Sequence, residues 1–159
     1  MSKTLVAYFS HSGNSKVIAE MFMKMMNADI YEIKAMYAYS QNYNTVVAEA
    51  KKELQENVRP TLVNTMPNIS VYDTIVIGYP NWWATMPMAC FTFLESADFS
   101  GKTIIPFCTH EGSQMGRSEH DLKVLCPNST ILEGFAIRGS SVRHGEDYIS
   151  YYLKQHHYM

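Results

Sequence analysis

Apolar runs and amphipathic stretches alternate five times along this 159-residue chain. Residues 5–9 (LVAYF) contain no polar position, the pattern of a strand covered on both faces. From residue 15 to about 27, Val17, Ile18, Met21, Phe22, Met25 and Met26 recur at helical spacing, with Lys16, Glu20 and Lys24 opposite. That spacing predicts an amphipathic helix. Residues 29–33 (DIYEI) alternate and predict a short edge strand, and residues 37–44 read as a polar, aromatic loop. A second helix is expected over about 45–57, with Val46, Val47, Ala50 and Leu54 inward and Glu49, Lys52, Glu53 and Glu56 in solvent.

Residues 59–70 hold Pro60 and Pro67 and predict a loop across the sheet edge. Residues 73–79 (DTIVIGY) form a second wholly apolar strand that ends in the loop 80–87, PNWWATMP. Pro87 suits a helix's first turn, and Met88, Phe91 and Leu94 are expected on its inner face. Residues 102–108 (KTIIPFC) predict a fourth strand, with an irregularity at Pro106, which lacks a ladder donor. A second glycine-bearing loop, 109–116 (THEGSQMG), leads to a helix at about 117–125. A fifth strand at 130–137 is weakened by Gly134. The last helix, about 146–155, is expected to turn Tyr148, Ile149, Tyr152 and Leu153 inward.

Five alternations with short connections and no repeats predict one α/β domain over 1–159, a parallel sheet between two helical layers. In such sheets ligands sit at the carboxyl ends of strands, where strand order reverses. The loops after strands one, three and four then become neighbours.

Composition narrows the class of function. At 47% hydrophobic and 18% charged the chain can build a core. A net charge of -2 leaves no basic surplus for a nucleic-acid backbone. No apolar run reaches the ~18 residues of a membrane span, and the first ten residues lack a signal peptide's long apolar stretch. Cys90, Cys108 and Cys126 are odd in number and widely spaced, so reduced, structural thiols and a cytoplasmic location are expected.

Candidate chemistry sits in the three loops. Ser10, Ser12, Asn14 and Ser15 offer neutral donors just before a helix N-terminus, and Gly13 permits a close turn. Unpaired N–H groups and the helix dipole make such a place an anion site, and phosphate the obvious guest. No Lys or Arg lies within the loop, so a phosphate there is held rather than transferred. A plain serine-capped turn is the alternative. After strand three, Pro80, Asn81, Trp82 and Trp83 present two large indole faces that suit a flat ring; one core lid and one surface tryptophan is the simpler reading. After strand four, Thr109, His110, Glu111, Gly112 and Ser113 supply donors for a ring's polar edge, with His110 a hydrogen-bonding loop residue. His-Glu, His-Asp and His-His neighbours lack metal-ligand spacing. A Walker A sequence, a G-x-G-x-x-G fingerprint and a G-x-S-x-G elbow are all missing.

Taken together the loops resemble the flavodoxin family. Its phosphate signature, [ST]-x-[ST]-G-x-[ST], is matched by SHSGNS at 10–15. The stretches GYPNWWATMP and PFCTHEGSQMGRSEHDL resemble a subgroup of small flavodoxin-like proteins with YP-x-WW-x-T-x-P and THxGS loops. The similarity extends from Lys3 to about Leu153. It implies a three-layer α/β/α sandwich, a five-stranded parallel sheet of order 2-1-3-4-5, and one non-covalent FMN. Ser10, Ser12, Gly13, Asn14 and Ser15 would hold its phosphate. Pro80, Asn81, Trp82 and Trp83 would line the isoalloxazine, and Thr109, His110, Glu111, Gly112 and Ser113 would meet its edge and ribityl side. His11 and Glu111 depart from the usual pattern, and the surface lacks a carrier flavodoxin's strong acidity. The ~20-residue insertion of long-chain flavodoxins, which interrupts strand five, is absent.

An FMN-dependent redox protein is the resulting expectation, either an electron carrier for a protein partner or an NAD(P)H-dependent reductase of a quinone-like acceptor. No side chain is assigned as catalytic, and no metal, nucleic acid or membrane partner is expected. A monomer and a homodimer are both compatible with the sequence, and a non-redox scaffold without cofactor is the reading from another class.

Overall fold

In the computed structural model, which describes residues 3–159, the unbroken apolar runs become the middle of a parallel sheet. Its strands are β1 (Thr4–Tyr8), β2 (Asp29–Glu32), β3 (Thr74–Pro80), β4 (Thr103–His110), β5 (Thr130–Ile131) and β6 (Phe135–Arg138). The order is β2-β1-β3-β4-β5, with β6 also pairing with β4, and every pair is parallel. The helices are α1 (Asn14–Met26), α2 (Tyr43–Gln55), α3 (Met88–Glu95), α4 (Ser118–Leu125) and α5 (Gly145–Gln155).

Residues of one strand divide between two cores because successive side chains point to opposite faces. Leu5, Ala7 and Phe9 pack with Ile75, Ile77 and Ile104 against Val46 of α2, Phe93 of α3 and Leu122 of α4. Val6, Tyr8, Val76 and Ile105 pack on the other face against Ile18 and Phe22 of α1 and Ile149 and Leu153 of α5. Double coverage explains why β1 and β3 show no alternation in sequence. The three cysteines are buried and free.

Several expectations need correction. The fifth strand is two short strands, with Leu132, Glu133 and Gly134 between them. The irregularity expected in β4 at Pro106 lies in its neighbour instead. Leu132 N–H donates to Ile104 O at 3.0 Å, so alternation places Pro106 on that same edge, where the gap between β5 and β6 asks for no donor. β4 runs on through Thr109 and His110, which the glycine-bearing pattern of 109–116 places in a loop.

Helix α2 starts two residues early because Asn42 caps it, accepting from Thr45 N–H at 3.1 Å. Glu53, read as solvent-facing, is buried at 7% exposure. Phe93 rather than Phe91 fills the core under α3, and Tyr148 is exposed rather than inward.

Candidate functional site

The sheet order places the carboxyl ends of β1, β3 and β4 side by side, and the three loops that leave them are joined pairwise. Ser15 Oγ in the first turn of α1 and Thr109 Oγ1 at the end of β4 share a buried hydrogen bond of 2.8 Å, which ties the first loop to the strand that feeds the third. The second loop is tied to the end of β4, where Asn81 N–H donates to Thr109 O at 2.8 Å, and to the third loop, where Asn81 Nδ2 donates to Gln114 O at 2.9 Å. The first and second meet where the His11 ring lies 5.9 Å from that of Trp82, edge on. A methyl group built on Gly139 would lie 2.5 Å from Glu111 Oε1 and 2.6 Å from Asn14 Nδ2. Side chains of the third and first loops therefore close over the same glycine, and a methyl there would displace the ends of both.

The first loop has the donors an anion requires. Gly13 is the N-cap of α1 at φ 99, a left-handed conformation that favours glycine, and no side chain caps the helix at that position. Ser10 Oγ instead reaches across the turn to accept from Gly13 N–H at 3.1 Å and Lys16 N–H at 3.3 Å. The Asn14 and Ser15 N–H groups have no acceptor among the described residues. No acidic side chain occupies the first turn of α1. Ser12 is exposed, whereas Ser15 is buried with its hydroxyl committed to Thr109. A phosphate fits this set: free helix N–H groups, an open glycine and no acidic residue in the first turn of α1 itself.

In the second loop the two indoles separate. Trp82 is half-buried in an aromatic cluster, 5.2 Å from Phe9 and 5.1 Å from Tyr39, both edge on. Trp83 is 43% exposed and lies on α2, its Nε1–H donating to Val47 O at 2.9 Å. The Lys51 ammonium stands 5.3 Å from its ring centre. What divides them is a turn with Trp83 at φ 55 and Ala84 at φ 70. Trp82 and Thr85 bridge across it. Hairpin turns with two left-handed residues normally use Asn-Gly, so Trp-Ala here is strained.

The surroundings over-determine that strain. Ala84 N–H donates to Asn81 Oδ1 at 2.9 Å, and Ala84 O accepts from Arg117 N–H at 2.7 Å. Thr85 hydrogen-bonds Asp121, which also pairs with Arg117 at 3.5 Å. Gly116 leaves room for this contact, since a Cβ there would meet Ala84 O at 2.3 Å.

The third loop begins at the buried His110. Its Nδ1 accepts from Gly112 N–H at 2.9 Å, which leaves the proton on Nε2. Burial and the nearby Arg138 guanidinium hold its pKa below the usual value, Glu111 opposing, so the ring is neutral at pH 7. Arg138 Nη1 donates to Glu111 O at 3.2 Å.

Four contributors were not singled out from sequence: Phe9, Tyr39, Arg138 and Gly139. The aromatic density of the 37–44 loop was the available signal for Tyr39. His11 Nε2 fastens that loop to the first, donating to Ser40 O at 2.8 Å.

A parallel sheet of order 2-1-3-4-5 whose first, third and fourth strands feed one shared cradle defines a flavodoxin-like α/β protein. A family model described as flavodoxin matches residues 3–152, and the chain belongs to that family. A crystal structure from Bacteroides uniformis ATCC 8492, provisionally named a flavoprotein, is 32% identical with a TM-score of 0.83, over 94% of this chain and 98% of that one. A similarly named structure from Bacteroides eggerthii DSM 20697 is also 32% identical, with a TM-score of 0.78 over 94% and 99% of the two chains. A flavoprotein from Lactobacillus acidophilus NCFM in complex with FMN shares the fold at 22% identity, with a TM-score of 0.73 over 91% and 98%. A comparison with curated proteins returns no match.

Proposed function

We propose that this protein binds FMN non-covalently and passes electrons through it. The observation that carries the reading is the pairwise tethering of the three loops, by Ser15–Thr109, Asn81–Thr109 and His11–Trp82. Membership of the flavodoxin family supports it, as does the FMN complex of the Lactobacillus relative.

In this reading FMN supplies the electron or hydride chemistry, and the protein sets position and electrostatics. The Asn14 and Ser15 N–H groups, Ser12 and Gly13 hold the phosphate, while Ser10 and Ser15 keep the loop in shape. Trp82, backed by Phe9 and Tyr39, supplies the aromatic wall, and Pro80 and Asn81 fix its approach. Thr109, Gly112 and Ser113 meet the ring's polar edge. Neutral His110 holds Gly112 in place, and the Glu111 carboxylate disfavours an anionic reduced ring. Trp83 belongs to the rim rather than the wall.

A charge of -2 favours a reductase of a small quinone-like acceptor over a carrier that docks through an acidic face. The absorbance spectrum of the purified protein tests the main reading: a flavin band, or its appearance on adding FMN, is expected, and a colourless protein that takes up none refutes it. Anaerobic NADPH then separates the two functions. Direct bleaching of bound flavin is the reductase result, and an unbleached flavin is the carrier result.

A further inference from the structure

Beside the flavin cradle, with which it shares His110, Gln114 and Arg138, a groove of about 220 Å³ opens at the edge of the sheet. Its floor is the β6 segment Phe135, Ala136 and Ile137, the first and third buried, and the exposed Tyr148 of α5 lines it as well. Arg138, His110, Gln114 and Ser141 supply the polar rim. The combination of a partly apolar lining with one cation narrows the ligand. A neutral apolar ligand would leave the guanidinium unmatched, and an inorganic anion would leave the floor wet.

Arg138 is the only formal charge in the lining, since burial and Arg138 itself keep His110 neutral. Among the described residues no carboxylate pairs with it. Its one protein hydrogen bond uses Nη1, to Glu111 O, which leaves Nη2 and Nε–H free to grip a carboxylate in two places. His110 adds a neutral donor, because its Nδ1 is already occupied by Gly112.

Tyr148 gives the groove its second wall. It is 56% exposed although the neighbouring Ile149 is fully buried. An aromatic face over an apolar floor selects a flat ring, and the size of the groove restricts the ligand to about one ring and its substituent.

We propose that this groove is a binding site for a small aromatic carboxylate, its ring between Tyr148 and the β6 floor and its carboxylate on Arg138. The proposal does not depend on FMN binding. It makes the third loop, which shares His110 and a hydrogen bond from Arg138, the wall between two ligands.

Sodium benzoate is the probe and benzamide, its neutral isostere, the control, each titrated into the purified protein and followed by backbone amide NMR. Benzoate is expected to shift Gln114, Ala136, Ile137 and Arg138 with a Kd of about 1 mM. Benzamide is expected to bind at least tenfold more weakly, because it lacks the charge. Arg138→Gln should weaken benzoate about tenfold, with the core signals of Phe22 and Phe107 unmoved. Tyr148→Ala, on the exposed face of α5, should weaken benzoate without altering its preference over benzamide. Equal binding of the two probes, shifts confined to other residues, or no shift at about 20 mM benzoate would each overturn the proposal.

Discussion

Replacing Glu53 with Gln should leave stability nearly unchanged at pH 5 and raise it at pH 8. Glu53 Oε1 accepts from the Tyr39 hydroxyl at 2.6 Å, while Oε2 is buried with no partner. Burial pushes its pKa up from 4.5 to about 7. A carboxyl with a raised native pKa binds its proton more tightly folded than unfolded. Between 4.5 and 7 the native state therefore holds more protons, and stability falls as pH rises through that window. A shift of this size corresponds to about 3 kcal/mol, reduced to roughly 1–2 kcal/mol by solvent relaxation around the carboxyl. Gln keeps the acceptor for Tyr39 and carries no charge, so the variant should lose this slope. Urea unfolding at both pH values measures it. With a denaturant dependence of about 2 kcal/mol per molar, the variant's midpoint should exceed the parent's by about 0.5–1 M at pH 8 and by only about a quarter of that at pH 5. Parallel pH profiles for the two proteins would refute the reasoning.

Three further outcomes follow from the site. Ala84→Gly should stabilise the protein by about 0.5–1 kcal/mol, because relief of left-handed strain outweighs glycine's added chain entropy; a lowered urea midpoint would contradict this. Gly139→Ala should weaken FMN about tenfold with little loss of stability, since the new methyl forces Glu111 and Asn14 off their rotamers; flavin fluorescence titration measures it. Glu111→Gln should raise the flavin midpoint potential in a redox titration, and an unchanged potential removes the proposed role of that carboxylate.

The central strands were legible because coverage on both faces leaves an apolar run, as in 5–9 and 75–79, whereas their order came only from the resemblance carried by the loop motifs. Convergence of the three loops then followed from strand order alone. Glu53 was hidden by its own polarity. It continues the Val46–Ala50 stripe at helical spacing, yet an acid is normally assigned to solvent. Tyr148 flanks the buried stripe of Ile149, Tyr152 and Leu153, and periodicity cannot say which edge of a stripe is covered. The divergence of Trp83 from Trp82 depends on a turn whose two left-handed positions hold neither glycine nor asparagine, so no signal marked its conformation. Arg138 and Gly139 reach the third loop only through pairing of β6 with β4, a long-range contact without a local motif.

Hydrogen exchange with and without FMN tests the central claim most directly, because it reads all three loops in one experiment. One equivalent of FMN should slow exchange together at residues 10–16, 80–85 and 109–114. Protection confined to one of these segments, or to none, would contradict a shared cradle.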